Sequence, residues 1–193
     1  MRRRWLIVGL TIAAVVLGIL TNAADARLLP YGPTANTGEI GEDIAAYPFT
    51  VYVTGAQAAH AVAECCRFEP QPPIRSDGVW VVVTLSYATA DQPRTPTGAG
   101  LVLRADDGRE FPVSPRSPAS AWLAGPDIWV RGDLAFEVAP DALGDLTLVF
   151  DPGSQIYGPM PTEYARIPLD LELGDVADVI DLSAQEILPE GDR

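Results

Sequence analysis

The chain is 193 residues long, with 13 basic and 26 acidic side chains, one histidine, two cysteines and a formal charge of −13. Residues 1–26 hold three arginines and one aspartate, which leaves 10 basic and 25 acidic residues beyond them, net −15; such a field repels nucleic acid and anionic lipid headgroups. A single histidine excludes zinc sites built on several imidazoles, and the about 165 residues past the N-terminal segment suffice for one domain with a real core.

Arg2, Arg3 and Arg4 precede an uninterrupted apolar run over residues 5–20. A cationic start followed by apolar chain directs a protein into a membrane, with its N-terminus in the cytoplasm and the remainder outside. With Thr21, Asn22, Ala23 and Ala24 the run reaches 20 residues, about the length that crosses ~30 Å of hydrocarbon. A retained single-pass anchor over residues 1–26 is therefore expected. Ala24-Asp25-Ala26 presents small residues at the two positions a signal peptidase reads, which keeps a cleaved signal peptide and a secreted product as the alternative. The first cysteine, Cys65, lies far beyond the run, against lipid attachment, and Arg2-Arg3-Arg4-Trp5-Leu6 only loosely echoes a twin-arginine signal. Every basic residue is arginine, and glycine (17) and proline (18) are abundant; this bias suits a GC-rich, actinobacterial type of genome.

Residues 27–46 carry Pro, Gly, Thr and Asn without periodicity and are expected to form an extended spacer. Phe49, Val51 and Val53 then alternate with Thr50, Tyr52 and Thr54, a half-buried strand. Residues 56–64 either continue it or form a helical turn. Cys65 and Cys66 are adjacent, so they cannot staple distant strands, and their Cα atoms sit ~3.8 Å apart, below the usual disulfide range of ~4.4–6.8 Å. A strained vicinal disulfide, free thiols at a buried turn and intermolecular bridges all remain open.

Pro70, Pro72 and Pro73 mark a loop. Residues 78–87 are apolar on both faces, which predicts a central strand buried on both sides. Asp107-Gly108 joins 101–103 to 110–113 as a hairpin, since both turn residues tolerate positive φ. Residues 115–131 form the longest irregular connection of the second half. Strands are predicted over 132–138, 146–150 and 164–169, with Pro168 implying an edge or a bulge. Seven short strands spaced by turns, with no helices between them, predict an all-β antiparallel sandwich over residues 47–171. The remainder, 172–193, is an acidic tail; from Asp170 onward Leu171, Leu173, Val176, Val179, Ile180 and Leu182 give partial helical spacing, with a solvated tail as the plainer reading.

Residues 47–171 resemble the telokin-like domain of unknown function found on exported and membrane-anchored proteins of Gram-positive bacteria. The resemblance is carried by the Gly78-Val79-Trp80-Val81-Val82-Val83 strand and the Asp106-Asp107-Gly108-Arg109-Glu110-Phe111 hairpin. It continues through Gly125-Pro126 and the run from Gly132-Asp133-Leu134-Ala135-Phe136-Glu137-Val138 to Pro140. Ala139 intervenes before Pro140, and Gly125-Pro126 reverses the commoner order. The resemblance implies an immunoglobulin-like β-sandwich behind a membrane anchor or signal, and it brings no catalytic residues with it.

The residues themselves assemble no reactive set. His60 with Cys65 or Cys66 suggests a thiol–imidazole pair, but on an extended strand His60 and Cys66 lie about 20 Å apart. No Gly-x-Ser-x-Gly elbow, Gly-x-Gly-x-x-Gly loop or Walker sequence occurs. Asp106-Asp107-Gly108 lacks the further ligand spacing of a calcium loop. Carboxylates are plentiful, yet nothing places two of them face to face for glycoside hydrolysis. No catalytic residue, metal site or cofactor is expected.

Binding is the expected role. Trp122 and Trp129 flank Gly125-Pro126, and Tyr157 lies in another Gly/Pro-rich loop; aromatic side chains on loops of a rigid sandwich serve as recognition anchors. Alternatively both tryptophans plug the ends of the core. The sequence thus points to a non-enzymatic cell-surface module that binds a protein or cell-wall component. An accessory subunit of a membrane complex is the alternative, although Gly9 and Gly18 form no close small-x-x-x-small pair. An uncharacterised extracellular hydrolase ranks last.

Overall fold

The computed structural model describes residues 2–28, 33–64, 71–96, 100–116, 121–152, 163–171 and 173–193, with the side chains of the first helix described at Gly9 and 11–23. That helix, α1 (Arg2–Leu28), has no apolar stripe. Its Ile12, Val15, Val16, Leu17, Ile19 and Leu20 are each 48–67 % exposed, and at 100° per residue they fan over about 200° of the circumference. Among the described residues no helix is long and apolar enough to cross a membrane.

The rest is strand. In chain order these are β1 (Thr34–Thr37), β2 (Asp43–Ala46), β3 (Phe49–Glu64), β4 (Ile74–Thr89), β5 (Leu101–Ala105), β6 (Glu110–Pro112), β7 (Val130–Val138), β8 (Leu146–Phe150), β9 (Glu163–Leu169), β10 (Val176–Leu182) and β11 (Glu186–Ile187). One sheet runs β1-β9-β8-β5-β6; the other runs β10-β3-β4-β7-β11, with β2 also paired to β3. The expected all-β sandwich is therefore present, and each of the seven strands read from the sequence is among the eleven.

The alternation of β3, β4, β5 and β8 decides what lies between the sheets. Val51, Val53, Val81, Val83, Leu85, Leu101, Leu103, Leu134, Phe136 and Leu148 meet there, each essentially buried. A fully buried side chain of this size stabilises by roughly 1.5–3 kcal/mol. At one end Phe49, Tyr87 and Phe150 form an aromatic knot, with ring centroids 5.6–5.8 Å apart. β4 lies between β3 and β7 and is buried on both faces, as its unbroken apolar run requires. Trp80 and Val82 turn away from the main core and pack with Val62, Ala135 and Leu182 in a second cluster.

Leu182 belongs to the C-terminal stretch, which is not a solvated tail. β10 pairs parallel with the second half of β3, the Ser183 amide donates to the Asp133 carboxylate at 2.7 Å, and β11 pairs with β7. Leu188 then packs with Ala88 and Trp129. The chain thus straps across the outer face of the second sheet. The apparent helical spacing arises because only Val176, Ile180 and Leu182 of β10 turn inward. Likewise, residues expected as spacer supply β1, parallel to β9, and β2, antiparallel to β3. Both parallel pairs join segments far apart in sequence, so the intervening sandwich takes the place of a crossover helix. Residues 56–64 continue β3, with register shifts at Val53/Gly55 and Ala59/Ala61. Pro168 sits inside the sheet opposite Thr147, just beyond the last β1 pairing at Arg166, where its missing N–H faces an open flank.

Candidate functional site

Chemistry could reside in three places: the tryptophan loop, the carboxylate clusters and the groove beside β10. In the loop, Trp122 is not a surface anchor. It is 6 % exposed and stacks on Tyr87 with centroids 5.3 Å apart and planes 14° from parallel. The Tyr87 hydroxyl accepts from the Trp122 amide at 2.9 Å and donates to its carbonyl oxygen at 2.5 Å. Burial pushes the Tyr87 phenol far above its ordinary range, and the hydrogen bond it accepts from the Trp122 amide offsets only part of that. The indole fills the space above Gly132, where an added Cβ would come within 2.6 Å of the ring.

Trp129 is also buried, at 9 % exposure, and the Arg193 guanidinium covers its ring at 4.2 Å. Trp122 therefore belongs to the main core, whereas Trp129 is buried in a separate small cluster with Ala88 and Leu188 under Arg193. The residues that the same loop does expose are Leu123 (64 %) and Ile128 (49 %). Between them Gly125-Pro126-Asp127-Ile128 makes a tight turn closed by the Ile128 amide on the Gly125 carbonyl, with Asp127 at φ 56°. Aspartate tolerates that left-handed conformation better than most residues. Tyr157, Cys65 and Cys66 lie outside the described residues.

The hairpin carboxylates serve structure. Arg109 contacts Asp107 at 2.6 Å and Asp141 at 3.1 Å. The Asp107 carboxyl is held below its usual range, first by the Arg109 amide, and Asp141 is lowered by the Arg109 side chain. This cluster ties the β5–β6 turn to the 3-10 turn Pro140–Asp145. Among the described residues no group of three or more metal-ligating side chains converges. His60 is exposed.

A concavity with polar walls runs between the middle of β3 and β10. One part, about 540 Å³, is lined by Gln57, Asp170, Leu171, Asp175, Ile180 and Asp181 among others. An adjoining part, about 390 Å³, shares Gln57, Ile180 and Asp181 and adds Thr54, Thr84, Asp133 and Ser183. The lining includes four aspartates and no basic side chain. Asp133 is 4 % exposed and accepts from the Thr84 hydroxyl at 2.6 Å as well as from Ser183. These residues went unremarked in the sequence because β10 could be placed beside β3 only once the fold was known.

No protein-family model matches the chain, and no curated protein matches it in sequence. Among solved structures it is similar to the yjhA protein from Bacillus subtilis, at 13 % identity over 67 % of this chain and 98 % of that one, with a TM-score of 0.44. It is similar to the secreted protein MPT63 from Mycobacterium tuberculosis, at 14 % identity over 69 % and 95 % of the two chains, TM-score 0.45. A third likeness is to an uncharacterised β-sandwich protein from Clostridium difficile 630, at 9 % identity over 69 % and 95 %, TM-score 0.44. Likenesses this distant carry no argument about activity or location, and the sandwich assignment rests on the strand pairing itself.

Proposed function

We propose that this chain is a non-enzymatic recognition module of the telokin-like, immunoglobulin-like kind, held at the outer surface of a membrane by α1. The observation that carries the tether is the helix itself: its described apolar side chains, spread over more than half of the circumference, are uncovered, and so wide an apolar face calls for a protein core or lipid around it. The sandwich offers it no cover; although no helix among the described residues is long and apolar enough to cross a membrane, the apolar run of the full sequence, residues 5–24, has the about 20 residues that a bilayer crossing takes. The arginines at 2–4 favour keeping the N-terminus in the cytoplasm.

The groove between β3 and β10 is the recognition surface this reading favours. Its aspartates and its lack of any basic side chain suit a partner that presents cationic groups, from a protein or a cell-wall component. Crosslinking on intact cells with mass spectrometric identification of neighbours tests the role. Capture of a partner that the Asp175→Asn/Asp181→Asn variant no longer captures supports the reading; unchanged capture would remove the groove from it. A carbonate wash with N-terminal sequencing tests the tether. Intact chain in the membrane pellet supports it, and a soluble product beginning at residue 27 would replace it with secretion.

A further inference from the structure

Six large apolar side chains outside α1 are exposed among the described residues: Ile40, Tyr47, Leu123, Ile128, Val179 and Ile187. Three of them, Tyr47, Leu123 and Ile128, gather at one end of the sandwich. Tyr47 occupies the β2–β3 turn, whose Pro48 carbonyl accepts from the Ala90 amide at 2.9 Å; the neighbouring Thr89 amide donates to Gly125 at 3.2 Å, within the turn that carries Ile128. Leu123 precedes Ala124, which exchanges both backbone hydrogen bonds with Arg94 just beyond β4. The backbone therefore ties the three turns into one surface.

The chain enters the sandwich at this same end. Thr34 opens β1 opposite Glu163, the first residue of β9. The Asn36 side chain donates to the Ala45 carbonyl at 2.8 Å, which sets the start of β1 level with Tyr47. Six positions separate Leu28, the last residue of α1, from Thr34, and six extended residues reach at most ~20 Å. Among the described residues the opposite end, by contrast, carries Asp106, Asp107, Asp141, Asp145, Asp170 and Asp175, and none of the six exposed apolar residues.

We propose that the sandwich rests end-on against the bilayer that holds α1, with Tyr47, Leu123 and Ile128 seated at the lipid–water boundary. This rests on the tether reading of α1. A tyrosine and two branched aliphatic side chains suit that boundary, where amphipathic rings and short apolar side chains partition together. Asp91, Asp127 and Glu163 lie at the same end, so the favoured surface is zwitterionic phospholipid rather than anionic. The pose turns the β3–β10 groove sideways, clear of the lipid.

The test uses the full chain in phosphatidylcholine nanodiscs carrying a phospholipid with a photoactivatable diazirine at headgroup depth. Crosslinks are expected on the peptides that contain Tyr47, Leu123 and Ile128, and not on the Asp106–Asp107 turn. The Tyr47→Ser/Leu123→Ser/Ile128→Ser variant should lose them while staying in the nanodisc, with its melting temperature as the folding control. Should the triple variant fail to fold, the single variants Leu123→Ser and Ile128→Ser each lose the label at their own peptide. Labelling confined to residues 5–33, or equal at both ends of the sandwich, overturns the proposal while leaving the tether intact. A dimer in sedimentation with no label at this end assigns the patch to a second copy and overturns it too. If the full chain never enters the nanodiscs, the tether fails first and the docking with it.

Discussion

Replacing Trp122 by alanine separates a core plug from a surface anchor. The indole is 6 % exposed, stacks on Tyr87 and covers Gly132 so closely that no Cβ fits beneath it. Truncating a buried tryptophan costs about 3–5 kcal/mol through lost burial and the cavity left behind. In a domain of this size each kcal/mol lowers the melting temperature by about 2–4 °C, so a drop of about 6–20 °C is expected. Thermal unfolding followed by far-ultraviolet circular dichroism measures it. Leu123→Ala, one residue along and 64 % exposed, is the internal control and should stay within about 0.5 kcal/mol of the parent. A Trp122→Ala protein that melts within about 2 °C of the parent would refute the packing argument, since that shift is under 1 kcal/mol.

Gly132→Ala should destabilise by about 1–3 kcal/mol through overpacking against the Trp122 ring, and removing the ring in Trp122→Ala/Gly132→Ala should relieve part of that cost in a double-mutant cycle. The buried Tyr87 phenol predicts alkaline instability. The unfolded phenol titrates near pH 10, whereas the folded one holds its proton well above that. Its stabilising contribution is thus complete below about pH 10 and declines by about 1.4 kcal/mol per pH unit as the pH climbs toward the raised folded value. Urea midpoints at about pH 9 and pH 11 should differ accordingly, and the part due to Tyr87 should vanish in Tyr87→Phe. Asp133→Ala should cost about 1–3 kcal/mol by leaving the Ser183 amide and Thr84 hydroxyl unpartnered. It should also speed hydrogen exchange at Ser183 and along β11, whereas protection unchanged there would show that the strap is held by other contacts.

The strands were legible wherever side-chain alternation or a continuous apolar run stated which faces are covered. That held for β3 through its first five residues, for β4 with its two buried faces, and for the Asp107-Gly108 hairpin. β1 and β2 left no such signal: Thr34–Thr37 joins by backbone hydrogen bonds and buries little, and Asp43–Ala46 is only four residues long, with just Ile44 and Ala46 turned into the core. β10 was obscured for a related reason: only Val176, Ile180 and Leu182 turn inward, and the exposed Asp178 and Asp181 stand between them. The tryptophans show the deeper limit. A loop sequence does not reveal that Trp122 will lie on Tyr87, because that contact depends on bringing positions 35 apart into register. The groove was invisible for the same reason, since its walls come from β3, β4, β7, β10 and the turn after β9.

The two parallel pairings also set an order of assembly. β3 pairs with β10, and β1 with β9, across about 120–130 positions of chain, separations that make such contacts slow to form. A chain emerging N-terminus first presents β1 and β3 long before β9 and β10 exist. Until then the outer rim of each sheet stays open, and the Trp80 face waits for Leu182. The native state can therefore be reached only when nearly the whole polypeptide is on one side of any barrier it crosses. Such a chain stays threadable while it is being moved and locks only once its last twenty or so residues arrive.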